Sequence, residues 1–173
     1  MNIRPATADD LPEIVRWRHD AAAWLAEQGS DQWSDAGISG DEFAHRVSQS
    51  INDGETWMAV ADDGTPLGTI ALDQWADPGL WSDGQLSRSL VIHRMIIDRS
   101  ATRRGIGAVL LRHADRVAAD RGLDWLVLDA WTTNIGLHDY YERHGFERVG
   151  TVPNFPSGAL FQRRVRFHEH SVA

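Results

Sequence analysis

The residues best suited to chemistry lie where a hydrophobic run gives way to a helix. Leu90–Ile97 is rich in β-branched residues and predicts a strand, and Arg103-Arg104-Gly105-Ile106-Gly107-Ala108 follows, just before an amphipathic helix. The first N–H groups of a helix lack intrahelical acceptors, and the helix dipole favours negative charge there. Glycine also allows the main chain to approach a ligand closely. This order of elements predicts an anion site, with phosphate or pyrophosphate as the ligand.

A glycine-rich turn alone is weak evidence for a ligand, because a tight strand-to-helix turn can need glycine for its backbone geometry alone. The segment matches neither the dinucleotide-binding fingerprint nor the Walker A loop. The C-terminal half of the chain supports the interpretation of this turn as a ligand site. Leu128–Asn134 predicts a strand that ends at a helix-capping Asn, Tyr141 follows seven residues later, and Gly145-Phe146 leads into another strand.

Together, these two segments resemble the GNAT superfamily of acetyl-CoA-dependent N-acetyltransferases. Members carry an Arg/Gln-x-x-Gly-x-Gly/Ala loop after the fourth strand, and an Asn-x6-Tyr helix followed by Gly-Phe after the fifth. Gly105-Ile106-Gly107 matches the first motif, and Asn134, Tyr141 and Gly145-Phe146 match the second, in the same order and spacing. The resemblance is close over residues 90–150 and looser over the N-terminal half.

The resemblance implies that acetyl-CoA is the acyl donor and that the main chain holds much of it. In the family, the end of the fourth strand pairs with pantetheine, the glycine loop binds pyrophosphate, and the helix-capping Asn often contacts pantetheine. Thr102 replaces the usual Arg or Gln, and Arg103 replaces a frequent Gly, but the main-chain donors of the loop remain. The implied cofactor-binding residues are Met95, Ile96, Ile97, Arg103, Arg104, Gly105, Ile106, Gly107, Ala108 and Asn134.

The resemblance also implies a reaction, the direct attack of a neutral amine on the thioester. Such a reaction needs a base for the ammonium and an acid for the leaving thiolate. Tyr141 is the candidate acid, because a phenol with a pKa of ~10 is protonated at neutral pH and can donate its proton to a thiolate. The alternative for Tyr141 is an aromatic side chain packed in the core, which is what we predict for the neighbouring Tyr140.

The candidate base is His93. Many family members use a Glu on the fourth strand, where this chain has none but does have His93. Histidine titrates near neutral pH and can accept the amine proton. The alternatives are a structural, hydrogen-bonded His93, or Asp73 or Asp129 as the base. We predict Asp129 as a carboxylate of the acceptor site, with bracing of the sheet as its alternative role.

Three of the eight tryptophans, Trp33, Trp75 and Trp81, lie in predicted loops that should border the acceptor. Aromatic faces attract ammonium groups, each contact being worth ~0.5–2 kcal/mol, so these side chains are candidate contacts for a small amine. The alternative is that each tryptophan anchors its loop to the body of the protein. Trp75 and Trp81 belong to residues 74–88, which we predict to be a long, turn-rich loop.

Composition limits the remaining classes of function. The chain is predicted to form one domain over residues 1–173. A net charge of −8 argues against a nucleic-acid partner and favours a cationic or amine-bearing small molecule. No apolar run approaches the ~20 residues of a membrane span, and the N-terminus does not resemble a signal peptide. With no cysteine present, these features predict a cytoplasmic protein, without a membrane partner or disulfides.

The elements that position these residues are predicted in the order βααβββαβαββ, which favours a mixed sheet flanked by helices. The resemblance implies an α/β (α+β) GNAT-like fold with a mostly antiparallel sheet of six to seven strands and about four helices. We expect no metal, because the pair His168-x-His170 near the terminus should be solvated. The sequence leaves a homodimer open.

The leading prediction is an acetyltransferase that acts on the amine of a small molecule or peptide. One alternative is an acyl-CoA-binding sensor or scaffold domain without turnover. Another is the transfer of the acyl group to a hydroxyl, or of a longer acyl chain, in the same cleft. The acceptor itself cannot be read from the sequence, because loops of different specificity are built on a common fold.

Overall fold

The structure is a computed structural model that describes residues 1–33 and 38–166. Its elements follow the predicted order, with one short helix added. The strands are β1 (Asn2–Pro5), β2 (Thr56–Val60), β3 (Pro66–Asp73), β4 (Ser89–Ile97), β5 (Trp125–Ala130), β6 (Glu147–Thr151) and β7 (Ala159–Arg164). The helices are α1 (Leu11–Glu27), α2 (Gly40–Asn52), α3 (Asp83–Leu86), α4 (Ile106–Asp120) and α5 (Ile135–Arg143).

The strands form a seven-stranded sheet in the order β1-β2-β3-β4-β5-β7-β6. The pairs β1–β2, β2–β3, β5–β7 and β6–β7 are antiparallel, whereas β4 and β5 are parallel. The parallel pair requires a crossover, which α4 supplies between the two strands. The predicted fold class, a mixed and mostly antiparallel sheet with helices, is confirmed.

The chain forms two compact units. The first contains Met1–Leu72 and His93–Leu110, and the second contains Asp73–Ile92 and Leu111–Ala173. The single domain that we predicted from the sequence stays a prediction. None of the described helices is both long and apolar enough to cross a bilayer.

In the first unit, the core is built by one face of α1, one face of α2 and the inner side of the sheet. Its buried side chains include Ile14, Trp17, Phe43, Val47 and Met58. Their spacing along the two helices is that of an amphipathic helix, which turns one stripe of side chains inward.

Side-chain caps fix where the helices of the first unit begin. The carboxylate of Asp10 accepts a hydrogen bond from the main-chain N–H of Thr7 at 2.8 Å and a two-pronged ion pair from Arg4 at 2.7 and 2.8 Å. The hydroxyl of Ser39 accepts the N–H of Glu42 at 3.1 Å at the start of α2. Such caps satisfy donors that the helix itself leaves unpaired.

In the second unit, a buried ion pair holds β7 to α4. The guanidinium of Arg163 donates to a carboxylate oxygen of Asp115 at 2.9 Å, and the other oxygen accepts the main-chain N–H of Arg166 at 3.0 Å. Burial lowers the pKa of Arg163 despite this partner. The pair thereby fixes β7, whose Phe161 packs against Tyr141 of α5.

The segment between β3 and β4 differs from the prediction, because residues 83–86 form the short helix α3. A reciprocal cap between Ser82 and Gln85 begins it: the Ser82 N–H donates to Gln85 Oε1 at 3.1 Å, and the Gln85 N–H donates to Ser82 Oγ at 3.4 Å. The pattern Ser-x-x-Gln is a sequence signature of such a cap. The glycine that follows Asp83 disfavours a helix, which is why the sequence predicts a loop here.

Candidate active site

The strand β4 has an irregular backbone directly before the predicted cofactor segment. Arg94 adopts φ +46°, a left-handed conformation that costs an L-residue roughly 1–2 kcal/mol. The parallel register of β4 with β5 runs from Ser89↔Trp125 to Val91↔Val127, so Arg94 lies just beyond it. Strain of this kind persists only where the surrounding structure imposes it, and it concentrates at functional sites. Met95, Ile96 and Ile97 follow directly after it.

The glycine loop has an irregular backbone with two left-handed residues. Thr102 is extended, with φ −61° and ψ 155°, whereas Arg103 and Gly105 have φ of +66° and +73°. Left-handed residues in a turn can direct main-chain N–H groups toward one concave surface, which binds anions. Residues 102–105 are exposed, so this surface is open to a ligand.

The start of α4 adds further donors to the loop. The N–H of Val109 donates to the carbonyl of Gly105 at 3.2 Å, as expected for the first bond of the helix. The N–H groups of Ile106, Gly107 and Ala108 precede that bond and have no acceptor within the helix. These amides, with the exposed guanidinium groups of Arg103 and Arg104, suit a pyrophosphate and fit the group that the resemblance implies.

Gly68 on β3 supports the loop, although it lies outside the two sequence motifs. A Cβ on Gly68 would lie 3.0 Å from the carbonyl oxygen of Ile96, 3.0 Å from Cδ1 of Ile97 and 3.3 Å from Cγ2 of Ile106. Gly68 therefore permits the close packing of β3 against the end of β4 and the first residue of α4. A lone glycine inside an apolar strand was the available signal.

In the second unit, Asn134 begins α5 as predicted. Its side-chain oxygen accepts the N–H of Leu137 at 3.0 Å, which confirms the capping role. The amide contact with pantetheine stays a prediction.

Tyr141 lies about two turns further along α5, in a cluster of rings. Its side chain is buried at 6% exposure, with ring centres 5.5 Å from Tyr140, 5.5 Å from Phe146 and 6.1 Å from Phe161. Burial raises the pKa of Tyr141, and the nearby Tyr140 and Asp129 raise it further. The phenol is therefore protonated at neutral pH, as the predicted role of general acid requires.

The candidate bases are divided between the two units. His93 is half-buried on β4 in the first unit, and Asp129 is half-buried on β5 in the second, opposite Leu160 of β7. The Asp73 carboxylate accepts the N–H of Trp75 at 2.8 Å in a local turn, which gives it a structural role. His93 and Asp129 stay the two predictions for the base.

The three loop tryptophans have different environments. Trp81 is buried at 1% exposure in a hydrophobic cluster with Val91 and Val127, so the structure favours its alternative role as an anchor and corrects its prediction as an acceptor contact. Trp33 packs partly against the core of the first unit. Trp75 is 63% exposed, and its contact with an acceptor stays a prediction.

Metal ligation has no support in the described part of the chain. Residues 1–33 and 38–166 contain no group of three or more histidine, aspartate or glutamate side chains placed to hold an ion. The pair His168 and His170 lies outside the described residues.

Comparison with known proteins decides the family. The model of the acetyltransferase (GNAT) family matches residues 14–146, which include the glycine loop and the Asn134–Phe146 segment. The chain belongs to the GNAT family. Members of this family are acyltransferases, and the match supports acetyl transfer as the general activity.

Relatives with sequence or fold similarity agree with this assignment. The uncharacterized N-acetyltransferase YesJ of Bacillus subtilis (strain 168) is 28% identical over 149 residues, which cover 84% of this chain and 81% of YesJ. A GNAT-family acetyltransferase of Listeria monocytogenes 4b F2365 has a TM-score of 0.76 at 25% identity, with 94% of both chains covered. PaiA N-acetyltransferase of Thermoplasma acidophilum, solved in complex with coenzyme A, has a TM-score of 0.68 at 19% identity and covers 94% of this chain and 98% of its own.

Proposed function

We propose that this protein transfers an acetyl group from acetyl-CoA to the amine of a small molecule or peptide. The observation that carries the proposal is the glycine loop of a GNAT-family chain, with left-handed residues at Arg103 and Gly105 and three helix amides directly behind it. The coenzyme A bound by PaiA, a protein of the same fold, supports acetyl-CoA as the donor.

Recognition of the donor is assigned mainly to the first unit. The loop from Arg103 to Ala108 holds the pyrophosphate through main-chain N–H groups, aided by the charge of Arg103 and Arg104. The main chain of Met95–Ile97, beyond the left-handed Arg94, pairs with the pantetheine amides. Asn134 of the second unit adds a contact to pantetheine while it caps α5.

The reaction is direct attack by the amine. The amine nitrogen forms a bond to the thioester carbonyl carbon, and the carbon–sulfur bond breaks. His93 takes the proton that the ammonium loses before the attack, and the hydroxyl of Tyr141 gives its proton to the departing thiolate. The second proton, which the nitrogen loses as the amide forms, restores the hydroxyl of Tyr141. Holding both reactants in place supplies much of the rate, since well-oriented intramolecular reactions reach effective molarities on the order of 10⁵ M or more.

The acceptor is assigned as a small cationic amine. The net charge of −8 attracts such a molecule over long range. The exposed ring of Trp75 and the partly buried ring of Trp33 offer faces for an ammonium group, and Asp129 offers a carboxylate.

A thiol-release assay tests the proposal. Because the protein contains no cysteine, a thiol reagent reports only the coenzyme A that is set free. Polyamines, amino acids, aminoglycosides and peptides with free N-termini form the acceptor panel, with acetyl-CoA as donor. We expect release that depends on at least one amine, and acetylation of that amine by mass spectrometry. Tight acetyl-CoA binding with no release across the panel would favour the sensor domain instead.

A further inference from the structure

The carboxylate of Asp98 attaches the turn that leads from β4 into the glycine loop to α1. One oxygen of Asp98 accepts the indole N–H of Trp17 at 3.0 Å and a guanidinium N–H of Arg16 at 3.2 Å. The other oxygen accepts both the main-chain N–H and the hydroxyl of Ser100 at 2.8 Å. The side chain of Asp98 is 14% exposed, and its bond to Trp17 is the partly buried one of the four.

Main-chain bonds fix the same turn from the side of the sheet. The N–H of Asp98 donates to the carbonyl of Leu67 on β3 at 3.0 Å, and the N–H of Ala101 donates back to the carbonyl of Asp98 at 2.9 Å. The guanidinium of Arg99 lies 3.9 Å from the ring centre of Trp24 on α1. The 3₁₀ turn Arg99–Ala101 is therefore held by two elements of the first unit.

Trp17 is a rigid anchor for this attachment. It is 1% exposed and packs in the core of the first unit beside Ile14 and Phe43. A buried indole N–H needs an acceptor, because leaving it unpaired costs ~1–3 kcal/mol. A phenylalanine would fill much of the same space without fixing the turn, so the N–H has a function that core packing alone does not explain.

The charge of Asp98 is compensated where it stands, which matters near an anion site. Burial acts to raise the pKa of Asp98, but hydrogen bonds from Ser100, Trp17 and Arg16 outweigh it, and the pKa is lowered. The carboxylate is thus ionised at neutral pH, and Arg16 pairs with it. A bare carboxylate five residues before Arg103 would instead repel a pyrophosphate.

We propose that Asp98, held by Trp17, is a positioning residue that fixes the glycine loop in the conformation that binds the pyrophosphate of the donor. The inference rests on the proposed function. Thr102 follows Ala101 directly, so a shift of the turn would also shift the left-handed residues Arg103 and Gly105. The proposal assigns no contact with substrate to Asp98 and predicts an effect on donor affinity, not on turnover.

The test separates donor binding from stability. Trp17→Phe removes the N–H and keeps an aromatic ring in the core, and Asp98→Asn removes the charge at nearly constant shape. We expect KM for acetyl-CoA to rise about 10-fold in each, with kcat within twofold and KM for the amine unchanged. KM for S-acetylpantetheine, which lacks the pyrophosphate, should stay within twofold.

Phe43→Leu is the matched control, because it loosens the same core without touching Asp98. It should lower the melting temperature as much as Trp17→Phe and leave KM for acetyl-CoA unchanged. Ser100→Ala on the exposed side of the turn serves if a core variant fails to fold, with an expected two- to threefold rise in KM. An equal rise in KM for both donors, or a rise no larger than in Phe43→Leu, overturns the inference. A wild type without acetyl-CoA binding overturns the proposed function instead.

Discussion

The glycine loop of the first unit and the aromatic end of α5 in the second unit contribute to the proposed reaction in opposite ways. The loop is exposed, with left-handed residues at Arg103 and Gly105, and the proposed function uses its main-chain N–H groups. Tyr141 is buried among rings, and the proposed function uses its hydroxyl. A main-chain site depends on conformation and tolerates changes of side chain, whereas a side-chain site depends on a single functional group.

This contrast explains how the loop can depart from its family. Thr102 and Arg103 replace residues that the family usually has, yet Arg103 adopts a left-handed conformation that glycine adopts more easily. Conformation is imposed from outside the loop, by Gly68 of β3 and by the turn at Asp98. The identity of the loop residues is therefore less critical than their support.

The largest effect is expected from a change of loop conformation. Gly105→Val places a β-branched residue at φ +73°, which the side chain disfavours, and the loop should lose its left-handed turn at this position. Because hydrogen bonds to charged groups are worth ~1.5–3 kcal/mol each, losing one or two raises the Kd for acetyl-CoA about 10²-fold or more. Titration calorimetry measures this.

Gly54→Val is the control for that experiment. Gly54 follows α2 and has the same φ of +73°, and a Cβ added at Gly54 or at Gly105 would meet no other atom within 4 Å. The variant should lose similar stability by thermal unfolding and keep the wild-type Kd. If the two variants weaken acetyl-CoA binding equally, the loop has no special role in binding.

Tyr141→Phe keeps the ring cluster and removes only the hydroxyl. We expect kcat to fall roughly 10²-fold, within the range of general acid catalysis, with the Kd for acetyl-CoA nearly unchanged. Tyr140→Phe, on the adjacent half-buried ring, should keep kcat within threefold. A wild-type kcat in Tyr141→Phe, measured where chemistry limits the rate, would leave Tyr141 with a packing role alone.

A smaller effect is expected at the base, where two candidates compete. If His93 deprotonates the acceptor, activity rises with pH through the titration of a histidine, and His93→Ala removes that rise with a loss of about 10-fold or more. Asp129→Asn should then keep the acidic limb of the profile. The reverse pattern, a wild-type profile in His93→Ala and a lost limb in Asp129→Asn, would transfer the role to Asp129.

The smallest effect concerns the buried interior of the second unit. Burial lowers the pKa of His113 on α4 to about 4, whereas an unfolded histidine titrates near ~6.5. The unfolded state therefore binds a proton first, and stability present above pH ~6.5 is lost as the pH falls toward 4. His113→Gln should reduce the loss of unfolding free energy between pH 7.5 and pH 5 by on the order of 1 kcal/mol, as measured by urea unfolding. His45→Gln, on the exposed side of α2, is the control, and an equal change in both variants would contradict the buried, neutral His113.

Much of the fold and of the loop could be predicted because their signals are local. The order of strand, glycine loop and helix at residues 90–121 and the Asn134 cap of α5 depend on periodicity and short-range hydrogen bonds. The bond between Trp17 and Asp98 joins residues 81 positions apart, and the left-handed Arg94 has no signature in its own sequence. Both depend on tertiary packing.

The environment of a tryptophan was the least predictable feature. Trp75 and Trp81 are six residues apart in the same connecting segment, yet one is 63% and the other 1% exposed. A tryptophan suits a core and a ligand site equally well by its chemistry. The role of Trp81 is therefore decided by its packing against Val91 and Val127.

The most direct test of the central claim, that the glycine loop recognises the pyrophosphate, compares two donors in two proteins. The value of kcat/KM is measured for acetyl-CoA and for S-acetylpantetheine, with the wild type and with Gly105→Val, on one identified amine. The account predicts a loss of about 10²-fold or more for acetyl-CoA and less than threefold for S-acetylpantetheine, because the truncated donor has no pyrophosphate to lose contact with. An equal loss with both donors would contradict it.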